Sequence, residues 1–302
     1  MIIDVENIIQ NLQKKGLNIT NNEEFKYYVK NFNVNTFLSD YCDFFVNNEE
    51  KFDDGVTSDD IIKLYNFDKN LGVHVFRCLL IIEKIINTSV VYATINVHKI
   101  EDKCLLNIDE NTIKNSILRN LNEIEPYTEF KPFLFKITKY LESNKSIKKL
   151  MIRDEQDNIY KWHNVPLDMM CLTWSFAMTF NFFIASSLQV KQLVMENLEI
   201  DKKYYEGFID LIKNFINIRN HISHNIVLYN SQIKYATDEL CDLYFYIFKQ
   251  NISKNDFKLI HLIRFISVLS NQNRLFERTI YFAKNLQISE PFKSEIEKLF
   301  EI

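Results

Sequence analysis

Glycine and proline are scarce, with four of each in 302 residues. Turn chemistry for joining many short strands is correspondingly thin, which argues against a sandwich or barrel. The five cysteines (Cys42, Cys78, Cys104, Cys171 and Cys241) are isolated and odd in number, with no C-x-x-C pair. That excludes a disulfide framework and a paired-ligand zinc site, and leaves reduced thiols in a cytoplasmic protein as the expectation. A basic excess is also missing. The net charge is -4, so any contact with RNA must be a local patch rather than a property of the whole surface. The first residues, Met1-Ile2-Ile3-Asp4-Val5-Glu6, lack the basic and apolar regions of a signal peptide. The apolar span 167–188 is interrupted by Asp168 and Asn181 and weakly flanked by basic residues. It reads as a core helix, with no membrane part expected. No glycine-rich phosphate loop, carboxylate cluster or Cys/His ligand set is present, so neither a metal nor a cofactor is expected.

What the chain does contain is helical periodicity. Asp4 can cap a helix over 5–15 that stops at Gly16, and Asn21 or Asn22 can cap a second carrying Phe25, Tyr28, Val29 and Phe32. An apolar segment over 34–45 and a polar loop over 47–56 follow. Thr57-Ser58-Asp59-Asp60 is a helix-start signature with early acids. It opens the longest periodic stretch, 59–97, with Ile61, Leu64, Tyr65, Asp68, Leu71, Val75, Leu79, Ile82, Ile86 and Val90 at helical spacing. Asp68 and Glu83 are conspicuous as acids near that apolar stripe. Residues 98–111 read as a loop, 111–123, 131–143 and 144–152 as helices, and 154–164 as a polar excursion. Further helices are expected over 167–188, 189–198, 201–224, 235–250, 254–270, 272–285 and 290–300. The expectation is an all-α chain.

Residues 219–224, Arg-Asn-His-Ile-Ser-His, close the apolar segment that begins at Phe208. Advancing 100° per residue gathers Phe208, Leu211, Phe215, Ile218 and Ile222 on one face. Arg219, Asn220, Ser223 and His224 fall on a separate polar arc, with Asn220 and His224 one turn apart. Such a turn suits metal-independent RNA cleavage. The 2′-hydroxyl must lose a proton and the leaving 5′-oxygen must gain one, and histidine can do either near neutral pH. Arginine offers a permanent charge and a fork of donors to the charged transition state, and asparagine can position the imidazole or a phosphate oxygen. Taken alone, the string reads first as a solvated helix end. His221 could contact RNA or share the proton chemistry, but reads first as a plain surface histidine. Glu83 could orient Arg219 or His224, or serve a structural ion pair. His74, His98, His163 and His261 are scattered without ligand spacing. Lys148-Lys149 with Arg153, and Lys202-Lys203, could contact phosphate but read first as solvated charge.

Arg219-Asn220-x-x-x-His224 matches the R-x4-H signature of HEPN-domain ribonucleases, and Leu228-Tyr229-Asn230 falls where the Abi-like (abortive infection, AbiD/AbiF type) branch has Leu-Trp-Asn. Upstream, Lys15-Gly16-Leu17-x-Ile19 resembles its Gly-Leu-x-Ile element and Leu38-Ser39-Asp40-Tyr41 its Leu-Ser-Gly-Tyr. Phe52-x-x-Gly55, then Ile61, Leu64, Tyr65, Asp68 and Leu71, then Ile82-Glu83, follow the same order. The chain therefore resembles the Abi-like HEPN family over about residues 8–232. It departs where the family has arginines, at Gly72, Asn87 and Val227, and where Pro-x-Trp and Phe-Gly shrink to Pro166 and Trp174-Ser175.

The resemblance implies a HEPN-like helical bundle with added N- and C-terminal helices: an N-terminal region 1–57, a core 58–232 and an extension 233–302. It implies an endoribonuclease of bacterial phage defence that leaves a 2′,3′-cyclic phosphate, with Arg219, Asn220 and His224 catalytic. His221, Ser223, Tyr229 and Asn230 are RNA-contact candidates, Tyr229 and Asn230 having packing and capping as their plainer reading. One motif per chain implies a homodimer that completes the site. A restraining partner, such as a small noncoding RNA, follows if the protein is a toxin. Two rivals stand beside this reading: an RNA-binding module that does not cleave, and a helical interaction subunit whose motif is coincidental.

Overall fold

The computed structural model describes residues 4–32, 37–97, 174–272, 274–290 and 292–301. Ten α-helices are described: α1 (Val5–Lys14), α2 (Asn22–Asn31), α3 (Ser58–Val97), α4 (Phe176–Ala185), α5 (Leu188–Asn197), α6 (Tyr205–Ser223), α7 (Asp238–Phe248), α8 (Leu259–Leu269), α9 (Arg274–Lys284) and α10 (Phe292–Phe300). A π-helical turn over Leu38–Cys42 and a 3-10 turn over Asp43–Phe45 stand where one apolar segment was expected. Among the described residues there is no strand, only the isolated bridges Asn18–Thr57 and Val46–Phe52. The fold is all-α. The expectations for 98–173, with Cys104, Cys171, His98, His163, Lys148, Lys149 and Arg153, lie outside the described residues.

Local signals place the helix ends. Asp4 accepts from Asn7 N at 3.1 Å and Asn21 from Glu24 N at 3.2 Å, each satisfying an orphan amide of a first turn. Gly16 takes φ 101° just past α1, a conformation that glycine adopts without strain. Thr57 caps α3: Asp60 N donates to its Oγ1 at 3.3 Å while Thr57 N donates back to Asp60 Oδ2 at 2.9 Å.

The chain divides into two compact units, 1–80 with 213–302, and 81–212. The first unit thus joins the N-terminal segments, the first part of α3, the Arg219–His224 turn and the C-terminal helices. Its core includes an aromatic cluster of Phe25, Tyr28, Phe37, Tyr41 and Tyr65, with ring centroids 5.1–6.1 Å apart. Helices α8, α9 and α10 pack on one another. Phe292 then meets Phe45 at 4.6 Å and Phe300 meets Phe67 at 5.6 Å. The spare oxygen of Asp60 accepts from Ser289 N at 2.9 Å, so the capping acid of α3 also anchors the approach to α10. In the second unit Phe183 packs against Tyr205 and Phe208, and Trp174 against Phe182.

Helix α3 is long and apolar enough to cross a membrane by length and composition. In the first unit its stripe is spent on protein instead, with Ile61, Leu64, Leu71, Val75 and Leu79 buried.

Candidate functional site

The apolar face expected on α6 is in place: Phe208, Leu211, Phe215 and Ile218 are buried and Ile222 is half-buried. Buried Asn214 ties the helix to the segment before α7, donating to Tyr235 O at 3.0 Å and accepting from Tyr235 N at 3.2 Å. Helix α6 stops with a Schellman arrangement. Ile226 N donates to His221 O at 2.9 Å and Asn225 N to Ile222 O at 3.0 Å, with Asn225 left-handed at φ 58°. Asparagine is among the few residues that accept that conformation readily. His224 is the capping residue, its N–H donating to Asn220 O at 3.0 Å. The imidazole therefore keeps helical register with Asn220 one turn earlier, and both residues are exposed.

Arg219 is half-buried on the same turn. Its guanidinium lies 5.9 Å from the Phe76 ring centroid, and its Nε is buried without a hydrogen-bond partner among the described residues. Among the described residues no carboxylate pairs with it, and packing against Phe76 is what holds the charge there. The side chains of Asn220 and His224 likewise make no hydrogen bond among the described residues. Ser223 differs: its hydroxyl donates to Arg219 O at 2.8 Å, which commits it to the helix backbone. His221 Nδ1 lies 3.5 Å from Ser231 Oγ, which itself donates to Val227 O.

Helix α3 supports this turn from outside the motif. Lys69 Nζ donates to Asn225 O at 3.4 Å, a Cβ on Gly72 would meet Ile222 Cγ2 at 3.6 Å, and Phe76 lies under Arg219. The two helices thus run antiparallel along the site. Asp68 then fixes the chain that leaves it. Its Oδ1 accepts from Leu228 N at 2.8 Å and Tyr229 N at 2.7 Å, and its Oδ2 from the Tyr41 hydroxyl at 2.7 Å. Asp68 is 1% exposed. Burial, then the Asp68 charge, push both the Tyr41 and the Tyr229 hydroxyls well above the usual phenol range, so both remain protonated donors. Tyr229 donates to Asp40 O at 3.1 Å and is 3% exposed. Its place is in the scaffold, as its packing reading has it, because protein covers the ring face that an RNA base would need. Asn230 is exposed.

Glu83 lies on α3 beyond Leu80 and belongs to the second unit. Lys202 and Lys203 are exposed, with Lys203 3.9 Å from Asp201. His74 stacks near Phe282, and His261 is buried against Glu301. Among the described residues no group of three or more His, Cys, Asp or Glu could hold a metal ion. The residues that the motif alone could not reveal are Tyr41, Lys69 and Phe76. Asp68 carried a sequence signal, an acid at a buried-stripe position, but no indication of its partners.

The turn thus joins an imidazole, able to exchange a proton, to a guanidinium and an amide able to hold an anion. No curated protein and no solved structure matches the chain. A family model described as Abi-like protein matches residues 24–230, well over half of the sequence and including Tyr41, Asp68 and the whole Arg219–Asn230 stretch, and the chain belongs to the Abi-like protein family.

Proposed function

We propose that this Abi-like protein is a metal-independent endoribonuclease of the HEPN type, acting in the bacterial cytoplasm without a membrane part. Family membership suggests a role in abortive infection, a form of phage defence. The observation that carries the nuclease reading is the turn itself. Arg219, Asn220 and His224 sit on one helix end, where Asn220 and His224 are exposed and, among the described residues, none of the three side chains is hydrogen-bonded or ion-paired. Neutral imidazole takes the proton of the 2′-hydroxyl as its oxygen attacks phosphorus. The bond to the 5′-oxygen breaks, and that oxygen leaves with a proton from an imidazolium. Products are a 2′,3′-cyclic phosphate and a 5′-hydroxyl. Arg219 stabilises the added charge on the phosphorane, and Asn220 positions a phosphate oxygen.

One histidine cannot be base and acid in the same step. A homodimer supplies the second. Exposed apolar residues flank the turn: Val73 at 66%, Leu80 at 44% and Ile226 at 42% exposure, a surface suited to a second copy. A toxic nuclease also needs restraint, for which a small noncoding RNA is the proposed partner.

The deciding test is cleavage of a labelled RNA by purified protein with excess EDTA. His224→Ala should lose about a hundredfold to ten-thousandfold in rate, and Arg219→Ala a comparable amount. Unchanged products from either variant, or a strict metal requirement, would overturn the reading. Tight, salt-sensitive RNA binding without turnover would instead establish a binding module that does not cleave.

A further inference from the structure

Between α3 and α9 a pocket of about 330 Å³ opens on the first unit. Its residues on α3, Lys63, Asn66, Phe67 and Asn70, point away from the line of Lys69, Gly72 and Phe76 that supports the Arg219 turn. It is therefore separate from the proposed nuclease site. The floor is apolar and aromatic, with Phe67, Leu71, Leu286 and the half-exposed ring of Phe282. The His74 ring lies nearly parallel to Phe282, at 16° and 6.4 Å, and supports it. The rim is made of carboxamides. Asn70 and Gln287 make no hydrogen bond among the described residues, and Asn285 spends its Nδ2 on Tyr281 O at 2.8 Å while keeping Oδ1 as an acceptor. Charge is nearly absent. Among the described residues Lys63 is the one cation in the lining, and Asp59 holds it at 2.6 Å.

Each feature narrows the occupant. An apolar floor with one half-exposed aromatic ring takes an apolar, stacking face, and rim carboxamides pair with an edge that both donates and accepts. Asn and Gln make bidentate pairs with adenine, and unpaired bases are recognised by stacking plus hydrogen bonds to their edges. Among the described residues a single neutralised cation offers no hold for a di- or triphosphate, and the volume admits one base with its sugar. We propose that this pocket binds a single unpaired nucleobase, either of a free nucleoside or of an RNA strand.

The test uses the full chain carrying His224→Ala, so that RNA stays intact and the result does not depend on cleavage. Titration calorimetry with adenosine, guanosine, cytidine and uridine, and with tetraribonucleotides, should give saturable binding that is strongest for one base. Phe282→Ala should weaken it by about tenfold, and Asn70→Ala and Gln287→Ala should narrow the difference between bases. These three side chains carry little of the core, and thermal unfolding checks that each variant folds. Binding of nucleosides identifies a free ligand, and binding of tetranucleotides alone identifies a base within a strand. Either supports the site. No saturable binding of any probe, or binding that none of the three substitutions changes, would overturn it.

Discussion

Asp68 holds more of the candidate site than any residue of the motif. Its two oxygens serve two backbone amides from 160 and 161 positions away and one tyrosine hydroxyl, all in the protein interior. Asp68→Ala strands those donors, and hydrogen bonds to a charged group contribute about 1.5–3 kcal/mol each when a partner is lost. A urea titration should therefore show at least about 3 kcal/mol of destabilisation, and Asp68→Asn a smaller loss because one acceptor oxygen survives. A change within about 0.5 kcal/mol would mean that Asp68 does not hold the turn. Arg219 behaves oppositely. Its contact with the Phe76 ring at a half-buried site is worth about 0.5–2 kcal/mol, most of the packing is kept by an apolar side chain of similar length, and no ion pair is lost with it among the described residues. Arg219→Met should thus unfold within about 1 kcal/mol of the natural protein while cleavage disappears. Asp68 was visible in the sequence as an acid in an apolar stripe. Its partners were not, because no pattern along a chain reports which amides return to it.

At the scale of elements, the end of α6 decides where His224 points. Asn225 occupies the left-handed region, where a side chain with a β-carbon costs about 1–2 kcal/mol and glycine nothing. Asn225→Gly should preserve stability and cleavage. Asn225→Ala should lower the unfolding midpoint and reduce cleavage together, since the cap and the imidazole share one turn. A second element-level effect lies at α8 and α10. His261 is 3% exposed, its Nδ1 accepts from Lys258 N at 2.9 Å, and its Nε2 faces Glu301 Oε2 at 3.1 Å. Burial lowers its pKa below the usual value, against the opposing pull of Glu301. The unfolded chain thus binds a proton more readily than the folded one. Stability is complete above the ordinary histidine pKa of about 6.5 and falls as the pH drops below it. Denaturant titrations from pH 7.5 to 5 should show this decline, and His261→Gln should flatten it. An unchanged slope would show that other groups set the acid sensitivity. The helix starts after Asp4, Asn21 and Thr57 were legible because caps are local, each binding an amide three residues ahead. By contrast, the break between α4 and α5, capped by Ser187, falls inside the single apolar span expected over 167–188. The turn over 38–45 was not legible, because its π and 3-10 geometry follows from how Tyr41 and Phe45 pack.

For the whole molecule, the central question is the second histidine. The exposed faces of Val73, Leu80 and Ile226 beside the Arg219 turn are where a second copy would sit. Val73→Glu combined with Leu80→Glu should convert a dimer to monomer in sedimentation velocity and abolish cleavage with Arg219 and His224 untouched. A double variant that still self-associates, or a monomer that still cleaves, would place the second proton carrier elsewhere.

By itself the sequence determined the all-α class, the start of α3, the apolar face of α6 and the presence of Arg219, Asn220 and His224 on one polar turn. Helical periodicity, capping and motif spacing are all read within a few residues of chain. Only the tertiary structure decided that Tyr229 belongs to the scaffold, that Asp68 joins Tyr41 to the chain beyond the motif, and that Phe76 carries Arg219. It also brought α3 and α9 together around a carboxamide-rimmed pocket. Those pairings link residues far apart in sequence, and they form because burying the apolar faces of α3 and α6 brings particular polar groups within hydrogen-bond reach, where each buried one must find a partner.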